Sequence, residues 1–142
     1  MTPVAQGEMA IKTESDIVLV RRAAREASVQ AGFGLTDVTR IVTASSEMAR
    51  NIFKYAGEGV MRWRQIEKEG RPGLEFLFAD NGPGIPDLNL ALQEGYTTGE
   101  GLGMGLPGAK RLVDEMDIQS AVGKGTTVTL RKWVKNVQVK TT

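Results

Sequence analysis

The residues best suited to chemistry form three short groups that lie far apart along the chain. Glu47 and Asn51 place a carboxylate and an amide four residues apart. Asp80 directly precedes a turn rich in glycine and proline. In the stretch Gly99–Leu106, every second residue from Gly99 to Gly105 is glycine. A carboxylate, an amide oxygen and free backbone N–H groups are parts from which a phosphoryl-transfer site can be built.

The glycine-rich stretch Gly99–Leu106 is suited to hold an anion. Glycine adopts positive φ and lets a ligand approach the backbone closely. Pro107 follows, and proline suits the first turn of a helix, which we expect over residues 108–116. The free N–H groups of the loop and the start of that helix then face the same way, which favours a phosphate. An ordinary glycine-rich surface loop is the alternative, because short glycine motifs also occur without a ligand.

A long helix is expected to position Glu47 and Asn51. Apolar residues at helical spacing predict this helix from Thr36 or Asp37 to a C-terminal stop at Gly57. Residues four apart lie one above the other on a helix, so the two side chains share a polar face. A solvated helix face is the alternative, although asparagine prefers caps and turns to helix interiors.

Asp80 ends a predicted strand, Leu74–Asp80. The two-residue period of a strand puts it on the same face as Phe76 and Phe78. A carboxylate where an apolar face ends requires a partner, and an exocyclic amine in a dry pocket would serve. Simple turn chemistry in Asn81–Pro86 is the alternative.

The remaining pattern predicts one domain, an α/β (α+β) two-layer sandwich. Helices group against strands that mostly join as hairpins, which favours a mixed, mostly antiparallel sheet with the helices on one face. The whole chain, residues 1–142, is expected to be this domain, with residues 1–6 and 136–142 flexible. The other predicted elements are a strand Glu8–Thr13, a helix that Ser15 caps and Gly32 ends, a strand Gly59–Lys68, a short helix Leu88–Gln93, a strand Asp117–Val122, a turn Gly123–Gly125 and a strand Thr126–Val134.

Composition excludes several other kinds of site. The 142 residues include no cysteine and no histidine, so disulfide frameworks, thiolate or histidine metal sites and a serine–histidine triad are ruled out. A net charge of +1 favours neither nucleic acid nor a membrane surface as a partner. No apolar run approaches the ~20 residues of a membrane helix, and no signal peptide is recognisable. We therefore expect a cytoplasmic protein.

The three groups are chemically complementary. Asn51 offers an amide oxygen to a hard cation such as Mg²⁺, which takes few protein ligands beside water and phosphate oxygens. Glu47, one turn away, can accept a hydroxyl proton. Asp80 can bind an amine, and the glycine-rich loop can close over phosphates. The absence of a Gly-x-x-x-x-Gly-Lys-Ser/Thr motif from the sequence rules out a Walker-type loop.

In this order, the three groups resemble the motifs of the GHKL superfamily (gyrase, chaperone, histidine-kinase and MutL-type ATP-binding domains), which has the Bergerat nucleotide-binding fold. The resemblance covers nearly the whole chain, from Met9 to Trp133. Within the superfamily, the sequence is most similar to the bacterial anti-sigma-factor serine/threonine kinases, and among them to the switch kinases of the stressosome. The residues that carry the resemblance are 46–57, 80–87, 95–98 and 101–108.

The resemblance implies a role for each of these residues. Glu47 would be the catalytic base, Asn51 the Mg²⁺ ligand and Lys54 a basic residue near the phosphates. Asp80 would bind the adenine amine, and Gly84 would let the base approach the backbone. Further nucleotide contacts are implied for Gly82, Thr98, Gly101, Leu102, Gly103, Met104, Gly105, Leu106 and Thr126.

The same resemblance implies an ATP- and Mg²⁺-dependent kinase that phosphorylates a serine or threonine of a STAS-domain protein of the stressosome. After release, the kinase would bind and activate a PP2C-type phosphatase upstream of a sigma factor or a cyclic-nucleotide enzyme. A non-catalytic nucleotide-responsive partner-binding module, or an anti-sigma factor of the same fold, is the alternative. A histidine-kinase catalytic domain is disfavoured, because the sequence contains no histidine and no recognisable dimerisation helix.

Two features depart from the wider superfamily. The implied ATP lid, residues 94–100, is short compared with the lids of histidine kinases and chaperones, which leaves the contacts to the γ-phosphate unassigned. Arg50 adjoins Asn51 in sequence but points about 100° away from it on a helix. It can therefore serve a partner surface instead of the nucleotide.

Overall fold

The computed structural model describes residues 6–85 and 105–135. The predicted short helix Leu88–Gln93 lies outside these ranges and stays a prediction. The described elements, in chain order, are β1 (Gln6–Ile11), α1 (Asp16–Ala31), α2 (Leu35–Ala56), β2 (Gly59–Lys68), β3 (Arg71–Asp80), α3 (Leu106–Leu112), β4 (Glu115–Ala121) and β5 (Gly125–Trp133).

The five strands form one sheet in the order β1-β2-β3-β5-β4. All four strand pairings in the described residues are antiparallel. Helices α1 and α2 pack on each other and against β3. The predicted two-layer sandwich with a largely antiparallel sheet is therefore confirmed.

Alternate residues of the central strands form the core. On β3, Leu74, Phe76 and Phe78 are buried, and in the sheet register they lie beside buried residues such as Met61 of β2 and Leu130 of β5. This period of two is what a strand with one covered face requires. The same face of β3 continues to Asp80, so the core ends where this carboxylate begins.

The opposite face of the sheet carries a network of ion pairs. Arg64 and Arg131 each donate a hydrogen bond to the Glu75 carboxylate, at 2.7 and 2.8 Å. The hydrogen bond from Arg64, aided by that from Arg131, outweighs burial and lowers the pKa of Glu75. Arg131 also donates to Asp117 at 3.0 Å. Charged residues facing outward in this way keep this side of the sheet polar.

Several predicted boundaries differ from the structure because backbone and strand pairing outweigh local propensity. β3 begins at Arg71 and not at Leu74, and β1 ends at Ile11 and not at Thr13. The helix expected over residues 108–116 begins at Leu106 and ends at Leu112. Glu115 and Met116 instead pair with β5 as the start of β4. β1 begins at Gln6, inside the segment that was expected to be flexible.

The start of α1 is held by an aspartate and not by the predicted serine cap. Ser15 makes no side-chain capping hydrogen bond. The Asp16 carboxylate instead accepts the backbone N–H groups of Lys12 and Thr13, at 2.8 and 3.0 Å. These two hydrogen bonds lower the pKa of Asp16. A carboxylate in the first turn also suits the positive end of the helix dipole.

A buried ion-pair cluster joins the start of α2 to the end of β5. The Asp37 carboxylate is 7% exposed and accepts a hydrogen bond from Arg40 at 2.9 Å. It also lies 3.7 Å from the ammonium of Lys132, a side chain only 9% exposed. Burial raises the pKa of Asp37, but the hydrogen bond from Arg40 and the charges of Lys132 and Lys135 outweigh it and leave the pKa below its usual 3.8.

Asp37→Asn is expected to lower the free energy of unfolding by about 3 kcal/mol at neutral pH, because it removes the buried one of the two carboxylates beside Lys132 and leaves only Asp114, which is 46% exposed. A depressed carboxyl pKa stabilises the fold fully above pH 3.8, and that stabilisation is lost as the pH falls through the folded-state pKa. Urea unfolding should therefore show the difference between wild type and variant shrinking below pH 3.8. Asp117→Asn is the control, because its 65%-exposed ion pair is worth less than about 1 kcal/mol. Equal losses in the two variants would contradict the role of burial.

Candidate functional site

Helix α2 brings Glu47 and Asn51 to one face. Apolar residues spaced three and four apart bury the opposite face, so the polar pair is left half-buried at the edge of the core. A methyl group on Gly105 would lie 3.7 Å from Nδ2 and 3.9 Å from Oδ1 of Asn51. The structure therefore places the C-terminal end of the predicted glycine-rich stretch directly against the Asn51 amide.

Asp80 lies at the end of β3, between β2 and β5. It pairs with Gly59 on one side and Thr126 on the other. Its Oδ1 accepts the N–H of Gly82 at 2.8 Å, which is the turn chemistry that the sequence left open. Within the described ranges the carboxylate has no other partner, so Oδ2 remains an acceptor for a ligand. Gly125 is buried and has φ +91°, which lets β5 begin against the backbone of Asp80.

The loop of residues 81–85, here called the Asp80 loop, follows β3 and contacts the end of α2 on one side and the β4–β5 hairpin on the other. A methyl group on Gly82 would lie 2.6 Å from the Cβ of Ala56 at the end of α2. Farther along, Gly84 lies against the carbonyl of Ala121 with φ +82°. The N–H of Gly123 donates to the carbonyl of Pro83 at 2.8 Å. Close contacts at both ends therefore hold this loop beside Asp80.

Gly84→Ala is expected to destabilise the Asp80 loop and weaken nucleotide binding. Gly84 has a left-handed φ, and an added methyl group would overlap the carbonyl oxygen of Ala121. Gly123→Ala is a matched control, because Gly123 has φ +79° but no atom within 4 Å of the added methyl group. In urea unfolding we expect the control to lose about 1–2 kcal/mol and Gly84→Ala about 1–3 kcal/mol more. Equal losses would show that the contact with Ala121 does not constrain the loop.

Ser120 belongs to this site, although the sequence analysis did not single it out. Its Oγ lies 2.8 Å from Oγ1 of Thr126 and accepts the N–H of Ile85 at 2.7 Å. The only sequence signal for it is register, because counting outward from the turn at 122–124 pairs Ser120 with Thr126. A hydroxyl on an edge strand gives no sign of its partners until that register is known.

Two other predicted site residues, Lys54 and Leu106, and the neighbouring Arg50 have environments of their own. Lys54 is exposed, and its Nζ lies 5.2 Å from the centroid of the Tyr55 ring, a cation–π contact. The side chain of Leu106 is buried in the core, which leaves its backbone for any ligand. Arg50 is half exposed, with its Nε 3.9 Å from Oε2 of Glu47.

The rest of the predicted phosphate-binding stretch lies outside the described residues. The roles implied for it therefore stay predictions, as does the lid over residues 94–100. The candidate nucleotide contacts concerned are Thr98, Gly101, Leu102, Gly103 and Met104.

A magnesium site in this region would use few protein ligands. The described residues contain no group of three or more acidic side chains placed to hold a metal ion. Asn51 is half-buried, and its amide makes no hydrogen bond within residues 6–85 and 105–135. One amide oxygen beside water and phosphate oxygens is a coordination that Mg²⁺ commonly accepts, so Asn51 fits the implied ion.

Among the helices that the structure describes, none is long and apolar enough to cross a membrane.

Comparison with known proteins assigns most of the chain to the kind of ATP-binding domain that its sequence motifs resemble. Residues 36–136 match the family described as histidine kinase-, DNA gyrase B- and HSP90-like ATPase. The chain is 46% identical over 125 residues to the serine/threonine-protein kinase RsbT of Bacillus subtilis. The aligned region covers 88% of this chain and 94% of that protein. It is 35% identical over 103 residues to the anti-sigma F factor of Geobacillus stearothermophilus, covering 68% and 69% of the two chains.

Solved structures show the same fold. A Mycobacterium tuberculosis structure of RsbU and RsbW domains has a TM-score of 0.65 at 21% identity, covering 99% of this chain and 36% of that one. The mycobacterial sensor histidine kinase MprB has a TM-score of 0.54 at 16% identity, covering 92% and 97%. Likenesses at such low identity establish the architecture alone.

Proposed function

Since the chain belongs to the histidine kinase-, DNA gyrase B- and HSP90-like ATPase family, on the branch of its serine/threonine-protein kinases, we propose that it transfers the γ-phosphate of ATP to a serine or threonine of a partner protein. The observation that carries the proposal is the arrangement on α2. Glu47 and Asn51 share one face, and Gly105 lies against Asn51. A carboxylate and an amide oxygen are thereby set side by side where the glycine-rich stretch rejoins the fold.

The proposed nucleotide pocket extends from Asn51 to the end of β3. Asp80 binds the exocyclic amine of adenine, because its second carboxylate oxygen is available and the core ends beneath it. Gly82 and Gly84 keep the Asp80 loop thin enough for the base to approach its backbone. Thr126 stands beside Asp80 in the register of β5 and β3 and adds a second polar contact.

Glu47 acts as the general base in the proposed reaction. The acceptor hydroxyl gives its proton to the Glu47 carboxylate while its oxygen forms a bond to the γ-phosphorus, and the bond to the bridging oxygen of ADP breaks. Half-burial of Glu47 suits this role, because the carboxylate is accessible to a protein substrate yet partly shielded from water. Asn51 would hold Mg²⁺, which when bound supplies charge neutralisation at the phosphates.

The proposed substrate is a STAS-domain protein of a stressosome, and the proposed setting is a partner switch in the bacterial cytoplasm. After phosphorylating and leaving that protein, the kinase binds and activates a PP2C-type phosphatase. The similarity to RsbT over most of both chains supports this assignment.

Phosphotransfer to STAS-domain proteins encoded in the same genome is the direct test. The protein is incubated with Mg²⁺ and ATP labelled on its γ-phosphate, and the labelled residue is identified by mass spectrometry. We expect label on a serine or threonine of one such protein. A pull-down with and without ATP should then exchange that protein for a PP2C-type phosphatase. ATP binding without transfer to any STAS-domain protein would contradict the kinase proposal.

A second candidate is a nucleotide-responsive anti-sigma factor without kinase activity. The similarity to anti-sigma F factors at 31–35% identity favours it. Such a module needs Asp80 and Asn51 to bind nucleotide but has no need of a base at position 47. Retention of partner binding by Glu47→Ala, together with no detectable transfer by wild type, would favour this candidate.

A further inference from the structure

The hydroxyl of Ser120 joins three segments of the candidate base pocket. Its Oγ accepts the backbone N–H of Ile85 at 2.7 Å, at the end of the Asp80 loop. It lies 2.8 Å from Oγ1 of Thr126. It donates to the carbonyl of Gly125 at 3.2 Å. This half-buried side chain thereby ties the Asp80 loop to the β4–β5 hairpin.

Only one arrangement of the protons makes all three of these contacts hydrogen bonds at once. A serine hydroxyl has one proton and two lone pairs. The proton goes to the carbonyl of Gly125, and one lone pair receives the N–H of Ile85. The remaining lone pair must receive the proton of Thr126. In this arrangement the Thr126 hydroxyl donates its only proton to Ser120 and presents only lone pairs to a ligand.

Thr126 and Asp80 then form a pair of acceptors on neighbouring strands. The two residues are direct partners in the register of β5 and β3, so their side chains point to the same face. An ionised carboxylate accepts hydrogen bonds and donates none. A ring amino group matches two acceptors, whereas a ring carbonyl would leave them facing its own lone pairs. A site built for a donor rejects an analogue that lacks it.

We propose that Ser120 is a positioning residue that holds Thr126 as a hydrogen-bond acceptor and so makes the pocket select 6-amino over 6-oxo purine nucleotides. This inference rests on the proposed binding of ATP beside Asp80. It assigns the selectivity to a side chain on β4 that acts through Thr126.

ATP and inosine triphosphate test the inference, because their bases differ only in the 6-amino or 6-oxo group and the accompanying N1 proton. Isothermal titration of wild type with the Mg²⁺ complex of each should show tighter binding of ATP. Ser120→Ala should reduce the ratio of the two affinities about tenfold, because Thr126 becomes free to turn and donate to the 6-oxo group. Ser120→Thr keeps a hydroxyl and should retain the ratio. Thr127→Ala, on the opposite face of β5, is the control and should leave it unchanged.

A merely structural role for Ser120 would lower both affinities by the same factor, and that result would overturn the inference. Thr126→Val provides an independent arm if Ser120→Ala fails to fold. It should reduce the ratio as well, and adding Ser120→Ala to it should change the ratio no further. An unchanged ratio in Thr126→Val would equally refute the inference. Wild type that binds neither nucleotide would instead refute the proposed function.

Discussion

Replacing Glu47 with alanine is expected to reduce phosphotransfer by about 10²- to 10⁴-fold, the usual contribution of a general base. Binding of Mg²⁺-ATP should be unchanged, because Glu47 lies one helical turn from Asn51 and is assigned no contact with the nucleotide. Single-turnover transfer to a STAS-domain protein measures the first quantity, and isothermal titration measures the second. A loss confined to the rate identifies an interaction made in the transition state.

Two further variants control for the size of the side chain and for the loss of a glutamate elsewhere in the protein. Glu47→Gln keeps the size of the side chain but cannot take a proton, so it should be as slow as the alanine variant. Glu26→Ala removes an exposed glutamate from α1 and should transfer phosphate at the wild-type rate. Undiminished transfer by Glu47→Ala would refute the assignment of the base.

Asn51→Ala is expected to weaken nucleotide binding in the presence of Mg²⁺ by about 10- to 100-fold, the range found when support for a metal ion is lost. The cause is removal of the Asn51 amide, which lies beside Gly105 and carries the proposed ligand oxygen. Titration with ATP in excess Mg²⁺ and again in a chelator measures the effect. In the chelator, wild type and variant should bind ATP alike, because Asp80 and its loop are intact in both.

The matched control for Asn51 is Gln30→Ala, which removes an exposed helical amide from α1. It should not alter ATP binding under either condition. Asn51→Asp retains an oxygen at the same position and should recover part of the affinity in Mg²⁺. Equal weakening of Asn51→Ala with and without Mg²⁺ would show that the side chain contacts the nucleotide without an ion.

The elements that carry the candidate site were predictable because their patterns are local. The apolar period along α2 predicts a helix to Gly57, and the structure ends it at Ala56 with Gly57 as its cap, at φ +85°. The turn residues around β2 and β3 predict a hairpin, and β2 has the predicted bounds Gly59–Lys68. The position of Asp80 on the same face as the buried residues of β3 follows from the alternation along that strand alone.

What could not be predicted depends on which strands become neighbours. Lys132 lies on the buried face of β5, where the pattern favours an apolar residue, and is accommodated only because Asp37 and Asp114 approach it. Ser120 acquires its role from the register with Thr126 and from the return of Ile85 to β4. Such contacts join residues distant in sequence, and no short pattern encodes them.

The order of the sheet has one more consequence, for how freely the chain can vary. β5 lies beside β3, so the register holds Asp80 next to Thr126 although residues 81–125 separate them. Strand pairing thus brings the proposed base-binding pair together, although α3 and β4 lie between the two residues along the chain. For a flexible loop, each doubling of its length costs only about 0.6 kcal/mol of closure entropy. Insertions between the two residues are therefore expected to leave the pairing of β3 with β5 intact, and with it the proposed contacts to the nucleotide base.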